Sequence, residues 1–365
     1  MRIIHVNGEL GLSGGEVQTM LLLRGLRDHG HQNLVCAAAD SALAAQATQE
    51  GFEVAPVTLR NDGDIRAIFS LTNAFKRNAA DLVHLHTGRA IWLGGLAAKR
   101  AGLPVVATKR MDRRIKKNLK SRIIWHHLVD AAAGISATVM EQMRDGGVSA
   151  ARRHLIYSSV DPSSVSTNTP RTELRTAHGL TENDTMLLAL GSLNRRKGFD
   201  VLIESLATLA QRNQHPQLWI GGDGPEKNAL QMLTQERGLE NHVRFLGQSD
   251  QVAALLQVAD IVVMPSRAEG LGIAALEAMA AGRPLIASRV GGLAESIIHE
   301  QSGLLVPPED PDSLADAIER LLKDSDLRTH LNEGGPRRIQ EQFLPETMVT
   351  RYLALYDALM SNESR

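Results

Sequence analysis

Cysteine is almost missing from this chain: Cys36 is the one thiol in 365 residues. That excludes an intramolecular disulfide framework and any cysteine-built metal cluster, and it suits a reducing compartment. Cys36 itself lies in the apolar run LVCAAA and is expected in the core. Aromatic residues make up only 3%, so the interleaved stacking side chains of a nucleic-acid binder are lacking, and no nucleic-acid partner is expected. No uncharged run reaches the ~18 residues of a membrane span, and the apolar part of MRIIHVNG is too short for a secretory signal. The expected location is therefore the cytoplasm. A net charge of -1 with 43% hydrophobic and 22% charged residues is the balance of a folded globular chain and not of a disordered one.

What is present is a recurring alternation. Short apolar runs suited to buried parallel strands stand at 2–6, 33–39, 81–86, 104–108 and 133–137, separated by stretches of helical period such as Val17 to Leu26. Strands alternating with helices imply parallel sheets covered on both faces. The pattern pauses at SSVDPSSVSTNTP (158–170), whose Ser, Thr and Pro read as a linker. It restarts with MLLALGS at 186–192, followed by HPQLWIGG, HVRFLG, DIVVMPS, PLIAS and GLLVPP. At roughly 100 to 200 residues per domain the chain divides into two α/β domains, 1–163 and 170–345. A final helical stretch, about 346–365, is free to pack back on the first.

Three segments carry chemistry. The loop Gly8–Gly15, GELGLSGG, leads from the first strand into a helix and can offer N–H groups to a phosphate, although its spacing is not that of the dinucleotide fingerprint. The loop GSLNRRKGF at 191–199 sets Arg195, Arg196 and Lys197 where a strand meets a helix, a place for a diphosphate, and neighbouring residues in a turn point apart, so one or two can reach it. The segment 260–297 holds Glu269, Gly270 and Gly272 before an Ala-rich helix that bears Glu277. A carboxylate beside an anion-binding helix start is repulsive unless it binds hydroxyls, so the arrangement suits a ligand with both phosphates and sugars.

Taken together, GSLNRRKGFDVLI, IGGDGPE, PSRAEGLGIAALEAMAAGRPLIAS and VGGLAE resemble family-four glycosyltransferases of the GT-B fold, two Rossmann-like α/β domains facing across a cleft. The resemblance implies a retaining hexosyltransferase that takes a nucleotide diphosphate sugar, a UDP-sugar favoured. The acceptor would be a lipid-linked or cell-surface glycan such as lipopolysaccharide core. The implied catalytic set is Lys197 on the leaving phosphate, Glu269 on donor sugar hydroxyls and Arg196. The implied donor site is Gly14, Gly15, Arg195, Gly222, Gly272, Ile273 and Glu277, the last on the ribose. No metal or other cofactor is called for. Two departures stand out: the family's G-R-L reads Gly191-Ser192-Leu193, and the histidine that often follows the strand PVVAT is replaced by Lys109-Arg110. On the acceptor side the candidates are His84, His86 and Arg110; a His-x-His pair can also hold metal, but no third ligand is evident. The alternatives are a non-catalytic sugar-nucleotide binder and a GT-B sugar-nucleotide epimerase.

One further segment is unusual. From Lys109 to Arg122 there are eight basic residues and one acid, Asp112, and Ile115, Leu119, Ile123, Ile124 and Leu128 recur at helical spacing beside Trp125. Such a helix, 109–128, can lie on an anionic membrane surface and make the protein peripheral on the inner face of the cytoplasmic membrane. Asp62-Gly63-Asp64 spells a metal-binding D-x-D, but its setting reads as a turn with Asp64 as helix cap.

Overall fold

The computed structural model describes every residue except Leu12, Glu182, Asn183, Ser364 and Arg365, and leaves the side chains of Asn362 and Glu363 undescribed. One residue of the loop Gly8–Gly15 and the last two of the stretch 346–365 thus lie outside the described residues. The chain falls into two compact units, Met1–Ser159 with Pro345–Arg365, and Val160–Leu344.

The first unit contains the strands β1 (Arg2–Val6), β2 (Gln32–Ala37), β3 (Glu53–Pro56), β4 (Leu82–Leu85), β5 (Val105–Lys109), β6 (Ala131–Gly134) and β7 (Arg153–Leu155). They form one parallel sheet in the order β3-β2-β1-β4-β5-β6-β7. The central strands are buried on both faces, which is why they read as unbroken apolar runs. The edge strands β3 and β7 are short and partly exposed, and each holds no more than three apolar residues in a row, so no apolar run announced them. Strand order reverses between β1 and β4, and at such a switch point the loops leaving the C-terminal ends part and open a crevice.

The closing helix, Pro345–Glu363, belongs to this unit: Met348, Val349, Tyr352 and Tyr356 are buried in one cluster with Ile3, Leu22, Leu82 and Val106. It crosses the helix Gly14–Asp28 so closely that a Cβ on Gly25 would stand 2.3 Å from a methyl of Val349. An exposed mid-helix Gly→Ala change gains up to about 1 kcal/mol from propensity. Here overpacking should win, and Gly25→Ala is expected to destabilise the protein by about 1–3 kcal/mol. Denaturant unfolding checks this, and an unchanged or raised midpoint would contradict the packing.

The second unit holds β8 (Met186–Leu190), β9 (Gln217–Gly221), β10 (Val243–Gly247), β11 (Ile261–Met264), β12 (Leu285–Ser288) and β13 (Leu304–Val306), parallel in the order β10-β9-β8-β11-β12-β13. Its core packs Leu187, Leu202, Leu206, Ile261, Ile318 and Leu321 between sheet and helices. The switch point falls between β8 and β11. Among the described residues no helix is long and apolar enough to cross a membrane.

The basic segment differs from its expected form. Residues 110–117 adopt no regular structure, a short helix covers Leu119–Ile123, and a π-helical turn follows at Ile124–Leu128. Ile124, Trp125 and Leu128 are buried, and Leu128 rests on Gly95 of the helix Gly88–Ala101. Ile115 lies over Gly146, while Leu119 is 71% exposed. The apolar residues therefore face different ways, because each packs on a different part of the first unit, and a continuous amphipathic helix over 109–128 is not formed. The D-x-D reading as turn and cap agrees with the structure: Asp64 accepts from the Ala67 amide at 3.1 Å and Asp62 pairs with Lys120. Cys36 is buried, and burial pushes its thiol up to about 12.

Candidate functional site

In the second unit the switch point is built by close backbone approach. Gly198 takes φ 65°, and a Cβ there would lie 2.0 Å from the Pro265 carbonyl oxygen. The turn Arg195–Lys197 is thereby pressed onto the loop after β11. Arg267 locks the two together: its amide donates to the Arg196 carbonyl at 2.7 Å and its guanidinium donates to the Arg195 carbonyl at 3.1 Å. The same guanidinium forks onto Asp200 at 2.7 and 2.8 Å and reaches Glu309 at 2.8 Å. The paired carboxylates hold the Arg267 charge well above its ordinary range.

With the loops so held, Lys197 forms an ion pair with Glu269, both side chains mostly buried. Arg196 reaches the Ala268 carbonyl, and Arg195 is exposed. The Glu269 carbonyl accepts from the Gly292 amide at 3.1 Å, and a Cβ on Gly291 would come within 2.2 Å of that oxygen. This explains the glycine pair in VGGLAE. The helix Ile273–Ala280 starts at Gly272, φ 90°, with no side chain capping it and no acid in its first turn. Its leading N–H groups and positive dipole end are thus available to an anion.

Glu277, within that helix, has no hydrogen-bond or ion-pair partner among the described residues. Burial pushes its carboxyl up to about 7. The Gly222 amide donates to the Gly247 carbonyl at 2.7 Å, and a Cβ there would lie 1.9 Å from the Gly191 carbonyl oxygen. Its missing side chain lets two loops pass, and its N–H is spent.

In the first unit Gly14 and Gly15 open the helix Gly14–Asp28, whose start is closed by a capping box of Ser13 and Glu16. The buried Glu16 carboxylate accepts from Asn7 Nδ2 and the Ser13 amide, each at 3.0 Å, and from Ser13 Oγ. Beside it lies a histidine trio that sequence reading had only in part. His5 of β1 stands in register with His84 of β4, and with His86 the three offer ring nitrogens within 4.8 Å of one another. His5 supplies the third member that was not evident, since a lone histidine inside an apolar strand carries no local signal.

All six ring nitrogens already have partners. His84 meets Tyr356 Oη and Thr108 Oγ1, each at 2.7 Å. His5 Nδ1 meets His86 Nε2 at 3.0 Å and His5 Nε2 meets Asn33 Oδ1 at 3.1 Å. His86 Nδ1 faces Arg110 Nη2 at 3.2 Å. Burial holds His84 and His86 well below the usual range and lowers His5 to about 4. The trio is thus a neutral hydrogen-bonded cluster beside a guanidinium, not an open ligand set. His84 is fully enclosed, so the structure corrects its placement among acceptor-facing residues; His86 is buried as well and acts on Arg110.

Two family models together match most of the chain. "Glycosyltransferase Family 4" matches residues 12–164, and "Glycosyl transferases group 1" matches 170–338. A D-inositol 3-phosphate glycosyltransferase of Jonesia denitrificans is 33% identical over 313 residues, spanning 76% of this chain and 71% of that protein. The chain belongs to the family-four glycosyltransferases.

As a family-four glycosyltransferase it carries Lys197, Glu269 and Glu277 in one matched segment and Gly14, Gly15, His84, His86 and Arg110 in the other. A lipopolysaccharide core biosynthesis glycosyltransferase, LpsD, of Rhizobium meliloti is 36% identical over 172 residues, covering 47% of this chain and 49% of LpsD. Among solved structures, Anabaena Alr3699/HepE in complex with UDP-glucose superimposes with a TM-score of 0.87 at 22% identity, covering 98% of this chain and 100% of that one. Its two parallel-sheet Rossmann-like domains are those of the GT-B fold. Sequence reading picked out Lys197 and the two glutamates but not Arg267, Asp200, His5 or Asn33, which hold other residues in place.

Proposed function

We propose that this glycosyltransferase moves a hexose from a UDP-sugar, with retention at the anomeric carbon, to a hydroxyl of a lipid-linked or cell-surface glycan such as lipopolysaccharide core. The observation that carries the reading is the pairing of Lys197 with Glu269 beside the uncapped start of the helix Ile273–Ala280, with Glu277 unpaired on the same helix. A diphosphate seated there meets a lysine and free backbone N–H groups. The sugar hydroxyls meet one carboxylate and the ribose hydroxyls the other.

As the bond from the anomeric carbon to the diphosphate oxygen breaks, the electron pair leaves with the phosphate. Fixed positive groups at that oxygen stabilise the transition state more than the ground state. The acceptor oxygen then bonds to the sugar carbon, and its proton passes to the departing diphosphate oxygen. The choice of uridine is supported by the UDP-glucose complex of HepE, the acceptor class by LpsD, and retention by the family resemblance.

Thermal unfolding with nucleoside diphosphates tests the donor. A ligand that binds only the native state raises its stability by RT ln(1 + [L]/Kd), about 2.7 kcal/mol at a hundredfold excess over Kd. UDP is expected to raise the midpoint more than ADP or GDP, and an equal response to all three would overturn the choice of base. Acceptor-independent conversion of the donor to an isomeric sugar nucleotide would replace transfer by epimerisation.

A further inference from the structure

The guanidinium of Arg110 has an unusual setting. Nη2 faces His86 Nδ1 at 3.2 Å and Thr19 Oγ1 at 3.5 Å. Nε is buried and has no hydrogen-bond partner. The side chain lies along the start of the helix Gly14–Asp28, its Cδ 3.4 Å from where a Cβ on Gly15 would stand. No carboxylate bonds it among the described residues. The nearby Glu16 carboxylate is committed to Asn7 and Ser13.

What surrounds this cation is arranged to hold it without neutralising it. Arginine can only donate, so His86 Nδ1 accepts, and His86 must carry its proton on Nε2. That proton goes to His5 Nδ1, whose Nε2–H then donates to Asn33 Oδ1. The Asn33 amide in turn donates to the His31 carbonyl at 3.3 Å. The chain runs in one direction from Arg110 into the domain, and every member is neutral. A partly buried cation left with an unbonded N–H costs free energy unless an anion completes it.

We propose that Arg110 is the receptor for an oxyanion, a phosphate or carboxylate, carried by the acceptor substrate. The assignment to the acceptor rests on the functional reading above, in which the donor diphosphate occupies Lys197 and the helix Ile273–Ala280 in the other unit. With Nη2 held by His86 and Thr19, the planar guanidinium still has Nη1 to donate to an oxyanion, whose approach would draw Nη2 off the long 3.5 Å contact with Thr19. The start of the neighbouring helix is already capped by Ser13 and Glu16, so the attraction for an anion comes from the guanidinium itself. Where the family often has a histidine, which suits a hydroxyl, this chain has a permanent cation, which suits an acid. The acceptor class is thereby narrowed to glycans or glycosyl precursors bearing an acidic group.

Inorganic phosphate is the probe, titrated by calorimetry into the full chain with UDP saturating. Phosphate is expected to bind the UDP-loaded protein. Arg110→Met should weaken that binding by about tenfold or more, the loss of a charged hydrogen-bonded pair, and Arg110→Lys, which keeps the charge but not the fork, by less. UDP affinity should stay the same in both. If Arg110→Met does not fold, Arg110→Lys carries the test alone, with a several-fold weakening expected. The proposal falls if UDP-loaded wild type ignores phosphate, if a folded variant binds it as well as wild type, or if UDP affinity drops with the variant, which would place Arg110 on the donor. Should UDP itself fail to bind, the donor reading fails separately, and phosphate titration of the unliganded chain and its Arg110 variants still decides whether Arg110 is an oxyanion receptor.

Discussion

Lys197→Ala is expected to lower turnover by about a hundredfold or more while leaving donor affinity less affected, as befits a charge that acts mainly on the departing diphosphate. The ion pair with Glu269 makes a second explanation available: removing the lysine leaves a mostly buried carboxylate alone, which could displace the loop after β11. The two are separable. Lys197→Ala combined with Glu269→Gln removes the unpaired charge, so a purely structural defect should leave the double variant no slower than Glu269→Gln alone. A leaving-group role predicts a slower double variant, because the missing cation is still missing. Turnover near wild type in Lys197→Ala, with loss in Arg195→Ala or Arg196→Ala, would move the phosphate clamp to the neighbouring arginines. That outcome would fit the serine at 192, where the family carries its own arginine.

Glu277→Ala should weaken nucleotide binding at least tenfold, or about 1.4 kcal/mol, by removing the acceptor of two ribose hydroxyls. Its pH dependence is the sharper test. Burial pushes this carboxyl up to about 7, and hydroxyl donors bind its ionised form. Affinity for a nucleotide diphosphate sugar, whose phosphates do not titrate near neutrality, should therefore rise by up to about tenfold from pH 6 to pH 8. Glu277→Gln should bind without that slope. In the unliganded protein the sign reverses: the contribution of Glu277 to stability is complete below its ordinary value of 4.5 and is lost as pH rises through about 7. A flat wild-type affinity profile over this range would remove Glu277 from the ribose.

The sequence alone determined the alternation of strands and helices, all six strands of the second unit, and the loops that carry Lys197 and Glu269. Those signals are local: a buried parallel strand must be continuously apolar, and a loop that packs backbone on backbone must use glycine, as Gly198 and Gly291 do. Tertiary structure decided the rest. His5 and His84 are far apart in the chain and meet only because β1 pairs with β4, and nothing in the period of either strand records that neighbour. Arg267 reads as one more surface cation until the turn after β8 is brought beneath it. In the basic segment the spacing of Ile115 to Leu128 matched a helix, yet the separate demands of Gly146 and Gly95 for a covering side chain set the path instead. Helical period reports which residues could share a face, whereas the packing partners, contributed by distant stretches of chain, select which of them do.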